Sequence, residues 1–279
     1  MSTAVITGAT NGLGRLVALD LARQGFRLGI VARSPEKADS VMQEIQTVAP
    51  GTRTKAFVAD LTSVREVARA GREIAEYYPA IDVLINNAGL HAFSARVTAD
   101  GVDEMTAVNY LAPWVLTNSL LGTVTGRVVT VASQAALQAG SIDPGRDLTR
   151  TDEYTRRGSM ARYGRTKLMD IMFSEELVRR LAGTGVVSNC CDPGFNTSGI
   201  GRELPFAKPL ARILNTFRIG DPRRGAGIIT RLATDPAIGD GYFSVKNAAR
   251  LECPEAGRSA AVQRELWEAT AELIGNLGR

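Results

Sequence analysis

An α/β fold built on one doubly wound parallel sheet is what this 279-residue sequence predicts. Short apolar runs alternate with helical patterns along the whole chain, and a glycine-rich turn joins the first such run to the first helix. No Pro/Ser-rich linker, charge block or internal repeat interrupts the alternation, so residues 1–279 read as a single domain.

The first strand is the run Ala4-Val5-Ile6, apolar and partly β-branched as in a strand buried on both faces. Leu13, Val17 and Leu21 then recur at helical spacing, and Gly25 stops the helix. Further strands are expected at 27–31, 54–58, 81–85, 127–131, 185–190 and 241–245, with helices near 35–48, 63–78, 103–121, 161–181, 222–234 and 260–274. In such a sheet, ligands bind beyond the carboxyl ends of the strands, so the chemistry is expected there.

Composition narrows the function classes. The charge of +4 is modest, and the Arg and Lys residues are dispersed instead of forming a stripe with interleaved aromatics, which argues against nucleic acid as a partner. No apolar stretch reaches the length of a membrane span and no signal peptide precedes the first strand, so no membrane anchor and a cytoplasmic location are expected. Cys190, Cys191 and Cys253 show no zinc spacing and read as buried thiols; no metal is expected. The lone histidine, His91, is expected on the surface or at a pocket rim.

The turn "TGATNGLG" places Gly8, Thr10, Asn11, Gly12, Leu13 and Gly14 at a strand-to-helix junction. A helix N-terminus offers unpaired N–H groups and the positive end of a dipole, and missing Cβ atoms let a pyrophosphate approach; close helix–strand packing would use the same glycines. After the second strand, "VARSPEK" puts Arg33 where an NAD-preferring site would have a carboxylate. A guanidinium there suits a 2′-phosphate, which predicts NADP(H). "VADLT" ends the third strand with Asp60 and Leu61, Asp60 serving as turn cap or adenine partner. "VLINNAG" ends the fourth with Asn86, Asn87, Ala88 and Gly89, a second wall for a nucleotide crevice in which both amides can bond to backbone and to ligand.

In "YGRTK", four residues turn a helix by about 400°, so Tyr163 and Lys167 share one side one turn apart. Holding a tyrosine with an ordinary pKa near 10 as phenolate at pH 7 takes roughly 4 kcal/mol. A neighbouring ammonium and the positive charge of a nicotinamide ring are the expected sources.

Thr7-Gly8-x-x-x-Gly12-x-Gly14, Asn86-Asn87-Ala88-Gly89, Ser133, Tyr163-x-x-x-Lys167 and Pro193-Gly194, in that order, make the chain resemble the short-chain dehydrogenases/reductases over essentially its full length. The resemblance implies the Rossmann fold, NADP(H) as cofactor and a catalytic tetrad of Asn109, Ser133, Tyr163 and Lys167. Tyr163 would exchange the proton, Ser133 would hold the substrate oxygen, and Lys167 would hold the nicotinamide ribose. Asn109 would place a water that links Lys167 to solvent. After Pro193 and Gly194, Asn196 and Ser198 are expected to contact the cofactor.

The stretch 134–160 looks like the insertion of the retinol dehydrogenase and protochlorophyllide reductase branch. It is expected near the active site, with Gln138 and Met160 toward the substrate and a polar body, 143–157, that does not pack as core. Residues 195–220 are expected to form a substrate lid. These features together predict an oxidoreductase that interconverts a carbonyl and an alcohol on a mainly apolar small molecule; a non-catalytic NADP-sensing or scaffold protein is the alternative. Relatives of this kind are often homodimers or homotetramers.

Overall fold

The structure is a computed structural model and describes residues 1–194 and 221–278. Among the described residues, eight strands form one sheet in the order β3-β2-β1-β4-β5-β6-β7-β8. They are β1 (Thr3–Thr7), β2 (Arg27–Ala32), β3 (Thr54–Val58), β4 (Ile81–Asn86), β5 (Val124–Val131), β6 (Val187–Asp192), β7 (Gly241–Ser244) and β8 (Arg250–Leu251). All neighbours run parallel except β7 and β8. The chain moves outward from β1 to β3 and returns to start β4 on the other side of β1. This reversal opens a crevice between the ends of β1 and β4.

Strand periodicity divides the apolar side chains between two layers. In β1, Ala4 and Ile6 join one core while Val5 joins the other; in β4, Val83 and Ile85 oppose Leu84 in the same way. Both faces are buried, which explains the continuous apolar runs. The first layer is completed by α1 (Gly12–Arg23), α2 (Pro35–Val48) and α8 (Pro222–Thr234). The second contains α3 (Val64–Tyr77), α5 (Ala112–Leu120), α6 (Pro144–Thr149), α7 (Arg156–Arg180) and α9 (Ala260–Leu277), while Met105 of the short α4 (Glu104–Thr106) packs with Ala92 and Tyr163 in a small separate cluster.

The structure departs from the expected elements where local pattern is a poor guide. The continuous helix expected over 103–121 is broken by a π-helical turn, Ala107–Leu111. Pro113 lacks the N–H that an α-helix would donate to the carbonyl of Asn109, so the regular ladder cannot pass through this point. Helix α7 begins at Arg156, earlier than the apolar stripe indicates.

The insertion also differs from its expected polar, unpacked form. Within it, Asp147 and Leu148 are buried, and α6 packs against α9. Its remainder is tied down by buried Arg162, whose guanidinium donates to the Arg150 and Asp152 carbonyls and lies 2.9 Å from the Asp152 carboxylate. Leu148→Ala is therefore expected to lower the stability of the fold by about 2–3 kcal/mol. That is the low end for a buried leucine, because a six-residue peripheral helix can settle into the gap. Denaturant unfolding checks this; an unchanged midpoint would return the insertion to a loose surface loop.

Candidate active site

The glycine turn is stitched to the end of β4. Thr7 Oγ1 accepts from the backbone N–H groups of Asn87 and Ala88, both at 3.0 Å, and the Asn87 side-chain amide donates to the Thr7 carbonyl at 2.9 Å. Gly8 and Gly12 have φ of +70° and +56°. A Cβ on Gly14 would lie 2.3 Å from Asn87 Nδ2 and 2.5 Å from the Gly8 carbonyl oxygen, so this glycine serves close packing of α1 on the two loops. Asn11 precedes α1 without making a side-chain cap bond, unlike Ser34 before α2 and Ser63 before α3. Its absence from the first turn leaves those N–H groups for an anion.

Above these loops lies a crevice of about 380 Å³. Of the residues expected to hold a cofactor, Gly8, Thr10, Asn11, Leu13, Arg33, Asp60, Leu61, Asn87, Ala88, Gly89, Tyr163, Lys167, Pro193 and Gly194 line it. Gly12 and Gly14 shape the turn beneath without lining it, and Asn196, Ser198 and the expected lid 195–220 fall outside the described residues. Asn86 turns away from the crevice: it is buried and donates to Thr117 Oγ1 at 2.9 Å. Only Asn87 of the pair faces the site.

At the outer end of the crevice, Ser34 and Lys37 join Arg33, an addition that the cap position of Ser34 had concealed. The Arg33 side chain is 74% exposed, and its nearest guanidinium nitrogen is 4.0 Å from the Asp60 carboxylate. Asp60 takes its turn-capping role, accepting from the Thr62 N–H at 3.0 Å and the Thr62 hydroxyl at 2.9 Å.

At the inner end, α7 delivers Tyr163 and Lys167 from one face. Ser133, just after β5, lines the same end of the crevice, and its hydroxyl lowers the pKa of the Tyr163 phenol. Lys167 Nζ donates to the Val131 carbonyl and to Asp170 Oδ2, each at 2.8 Å. Asn109, on the π turn, does not line the crevice. Its oxygen accepts from the Leu90 N–H at 2.8 Å, and its amide donates to the Leu90 carbonyl at 2.9 Å and to Thr166 Oγ1 at 3.0 Å. It thus braces the Asn-Ala-Gly loop against α7. Asp192 does similar work on the other side, its Oδ1 accepting from the N–H groups of Gln134 and Gly194, both at 3.2 Å.

Two neighbours escaped sequence reasoning. His91 is buried, not a surface residue, and its ring stacks on Tyr163 with centroids 5.0 Å apart, while its Nε2 lies 3.1 Å from Ser159 Oγ. Asp170 ends a buried ion pair with Lys167. Nothing local marks either, although the i,i+3 spacing of Lys167 and Asp170 was visible.

Electrostatics in the free chain run opposite to the expected phenolate. Burial raises the Tyr163 pKa; Lys167 and the Ser133 hydroxyl pull it down, Asp170 and Asp192 push it up, and the balance stays above the ordinary value. Tyr163 is a protonated phenol at neutral pH.

With this geometry in place, the comparisons with known proteins agree. The family model described as short chain dehydrogenase matches residues 2–143. The "Putative daunorubicin C-13 ketoreductase DnrU" of Streptomyces sp. (strain C5) is 35% identical, over 99% of this chain and 94% of that one. Retinol dehydrogenase 14 of Mus musculus is 33% identical, over 99% of this chain and 86% of that one. A crystal structure of an uncharacterized protein from Mycobacterium Paratuberculosis superimposes with a TM-score of 0.79 at 27% identity, covering 99% of this chain and 94% of that one. The chain belongs to the short-chain dehydrogenase family, in its retinol dehydrogenase-like branch. It is an oxidoreductase with the Rossmann fold of that family, of the kind that interconverts carbonyls and alcohols. Among the described residues no helix is long and apolar enough to cross a membrane, and no group of His, Cys, Asp and Glu could hold a metal ion.

Proposed function

We propose that the chain uses NADP(H) to interconvert a carbonyl and an alcohol on a mainly apolar small molecule, with Tyr163 as the general acid and base. The reading is carried by one juxtaposition: a protonated, buried phenol, beside Ser133 and backed by the Lys167 ammonium, closes the inner end of a crevice whose outer end is cationic. Arg33 and Lys37 supply charge-assisted donors suited to a 2′-phosphate, with Ser34, whose hydroxyl donates to Glu36 at 2.7 Å, completing that end of the wall. The uncapped start of α1 and the backbone around Gly8 suit the pyrophosphate.

A bound nicotinamide supplies or accepts the hydride. As a carbonyl is reduced, negative charge grows on its oxygen; Ser133 donates a hydrogen bond to that oxygen and Tyr163 gives it the proton. In the other direction Tyr163 takes the proton from the alcohol. Lys167 holds the ribose and eases ionisation of the phenol, and Asn109 keeps the loop of Gly89 and Leu90 against α7. The protonated state of Tyr163 is the one that reduction requires. The apolar character of the substrate is supported by Leu90 and Val108 on the crevice wall; Gln138 and Met160, expected toward the substrate, do not line it. The ketoreductase named among the relatives agrees with a ketone substrate.

The test is NADPH consumption against a panel of apolar ketones and aldehydes. Turnover of at least one member with NADPH preferred over NADH is expected. Tight NADPH binding with no turnover across the panel would favour a non-catalytic cofactor-binding protein.

A further inference from the structure

We propose that Asp170 is a positioning residue of the reaction, which holds the Lys167 ammonium in a buried ion pair and limits how strongly that ammonium assists ionisation of Tyr163; this rests on the assignment of Tyr163 as acid and base. The two charged groups are among the most enclosed in the fold, with side-chain exposures of 4% for Lys167 and 1% for Asp170, and their closest atoms are 2.8 Å apart. Lysine has three N–H donors; here Val131 takes one and Asp170 another. The ammonium is thereby aimed, and only its remaining donor is left for the crevice.

Asp170 itself is held by little else. Its Oδ1 is buried with no hydrogen-bond partner, so Lys167 is the group that makes a carboxylate tolerable at this depth. The other titratable groups that sense it are neutral: Tyr163 on α7, Tyr110 on the π turn and Cys190 on β6, each pushed up first by burial and further by the Asp170 charge. Burial pushes the Asp170 carboxyl up to about 7, against the opposing pull of Lys167. Burial works against the Lys167 charge, and the Asp170 carboxylate is the chief group opposing it; the balance keeps the amine above its ordinary pKa. The carboxylate thus acts on Tyr163 twice over, by direct repulsion of a phenolate and by offsetting the ammonium. Removing its charge takes away the direct repulsion of a phenolate, and with the Val131 carbonyl still accepting from the ammonium the phenol ionises at lower pH.

The test compares Asp170→Asn, Asp170→Ser and Asp170→Glu with the native chain, each alone and combined with Tyr163→Phe. Tyrosinate absorbance during alkaline titration, taken as the difference between each chain and its Tyr163→Phe counterpart, reports Tyr163 ionisation without turnover. The pH profile of kcat/KM in alcohol oxidation reports it during the reaction. The neutral variants are expected to lower the Tyr163 midpoint and the acidic limb of the profile together by about one pH unit. Asp170→Glu, which keeps the charge, is expected to restore the native values. Midpoints unmoved in either folded neutral variant, or moved equally by Asp170→Glu, would overturn the inference. Turnover by Tyr163→Phe would instead overturn the acid–base assignment beneath it, a separate result.

Discussion

Tyr163→Phe is expected to lose roughly a hundred- to ten-thousand-fold in kcat, the usual contribution of a positioned proton donor, while its NADPH affinity stays within a few-fold. The substitution removes one hydroxyl and retains the ring that stacks on His91 and packs with Ala92 and Met105. The fold has no reason to collapse. In the proposed site, phosphate and ribose contacts would come from Arg33, Lys37, the α1 turn and Lys167, all on the crevice wall and none dependent on the phenol oxygen. Steady-state rates and a fluorescence titration with NADPH separate the two effects. A variant within tenfold of the native rate would show that the proton comes from elsewhere, and a parallel loss of NADPH binding would show that the substitution had damaged the crevice instead.

Arg33→Asp is expected to weaken NADPH binding by about 3–4 kcal/mol, a few-hundred-fold in Kd, and NADH binding far less or not at all. It deletes a charge-assisted donor and sets a carboxylate beside a dianionic phosphate, where Asp60 already stands about 4.0 Å from the guanidinium. Asp60 spends one oxygen on Thr62, so it cannot turn away without opening that turn. Because the Arg33 side chain is exposed, removing it opens no cavity, and any loss reports binding alone. Equal losses for the two dinucleotides would mean that Arg33 does not read the 2′-phosphate; Lys37 would then be the residue to replace next.

Much of this site was legible because its chemistry follows from backbone spacing. The glycine turn, Arg33 after β2, the Asn-Asn-Ala-Gly run after β4 and the Tyr163–Lys167 helical pair all owe their positions to where a strand ends or a helix turns. Residues whose partners are remote in sequence were not legible. Asn86 and Asn87 are adjacent and chemically identical, yet strand pleating sends one to Thr117 on α5 and the other to Thr7 on β1. His91 meets Tyr163 only once α7 lies over the loop after β4, a contact that no periodicity announces.

The insertion shows a different limit. Its charge pattern reads as solvated loop, but Arg162 and Asp147 fold that charge inward, and Leu148 then has a surface on α9 to bury. Asn109 lies between these cases: it was visible as a candidate, while the π turn that presents it depends on the proline four residues later.

The proposed reaction passes a hydride between the nicotinamide and a carbonyl carbon on this chain, with Tyr163 supplying the proton. It is tested most directly by incubating the native protein and Tyr163→Phe with an apolar ketone and NADPH deuterated at both C4 positions of the nicotinamide. Mass spectrometry of the product should show the alcohol with one deuterium on its carbinol carbon from the native protein, and a trace of alcohol at most from the variant. Alcohol without deuterium would rule out direct hydride transfer, and labelled alcohol formed equally fast by Tyr163→Phe would rule out Tyr163 as the proton donor.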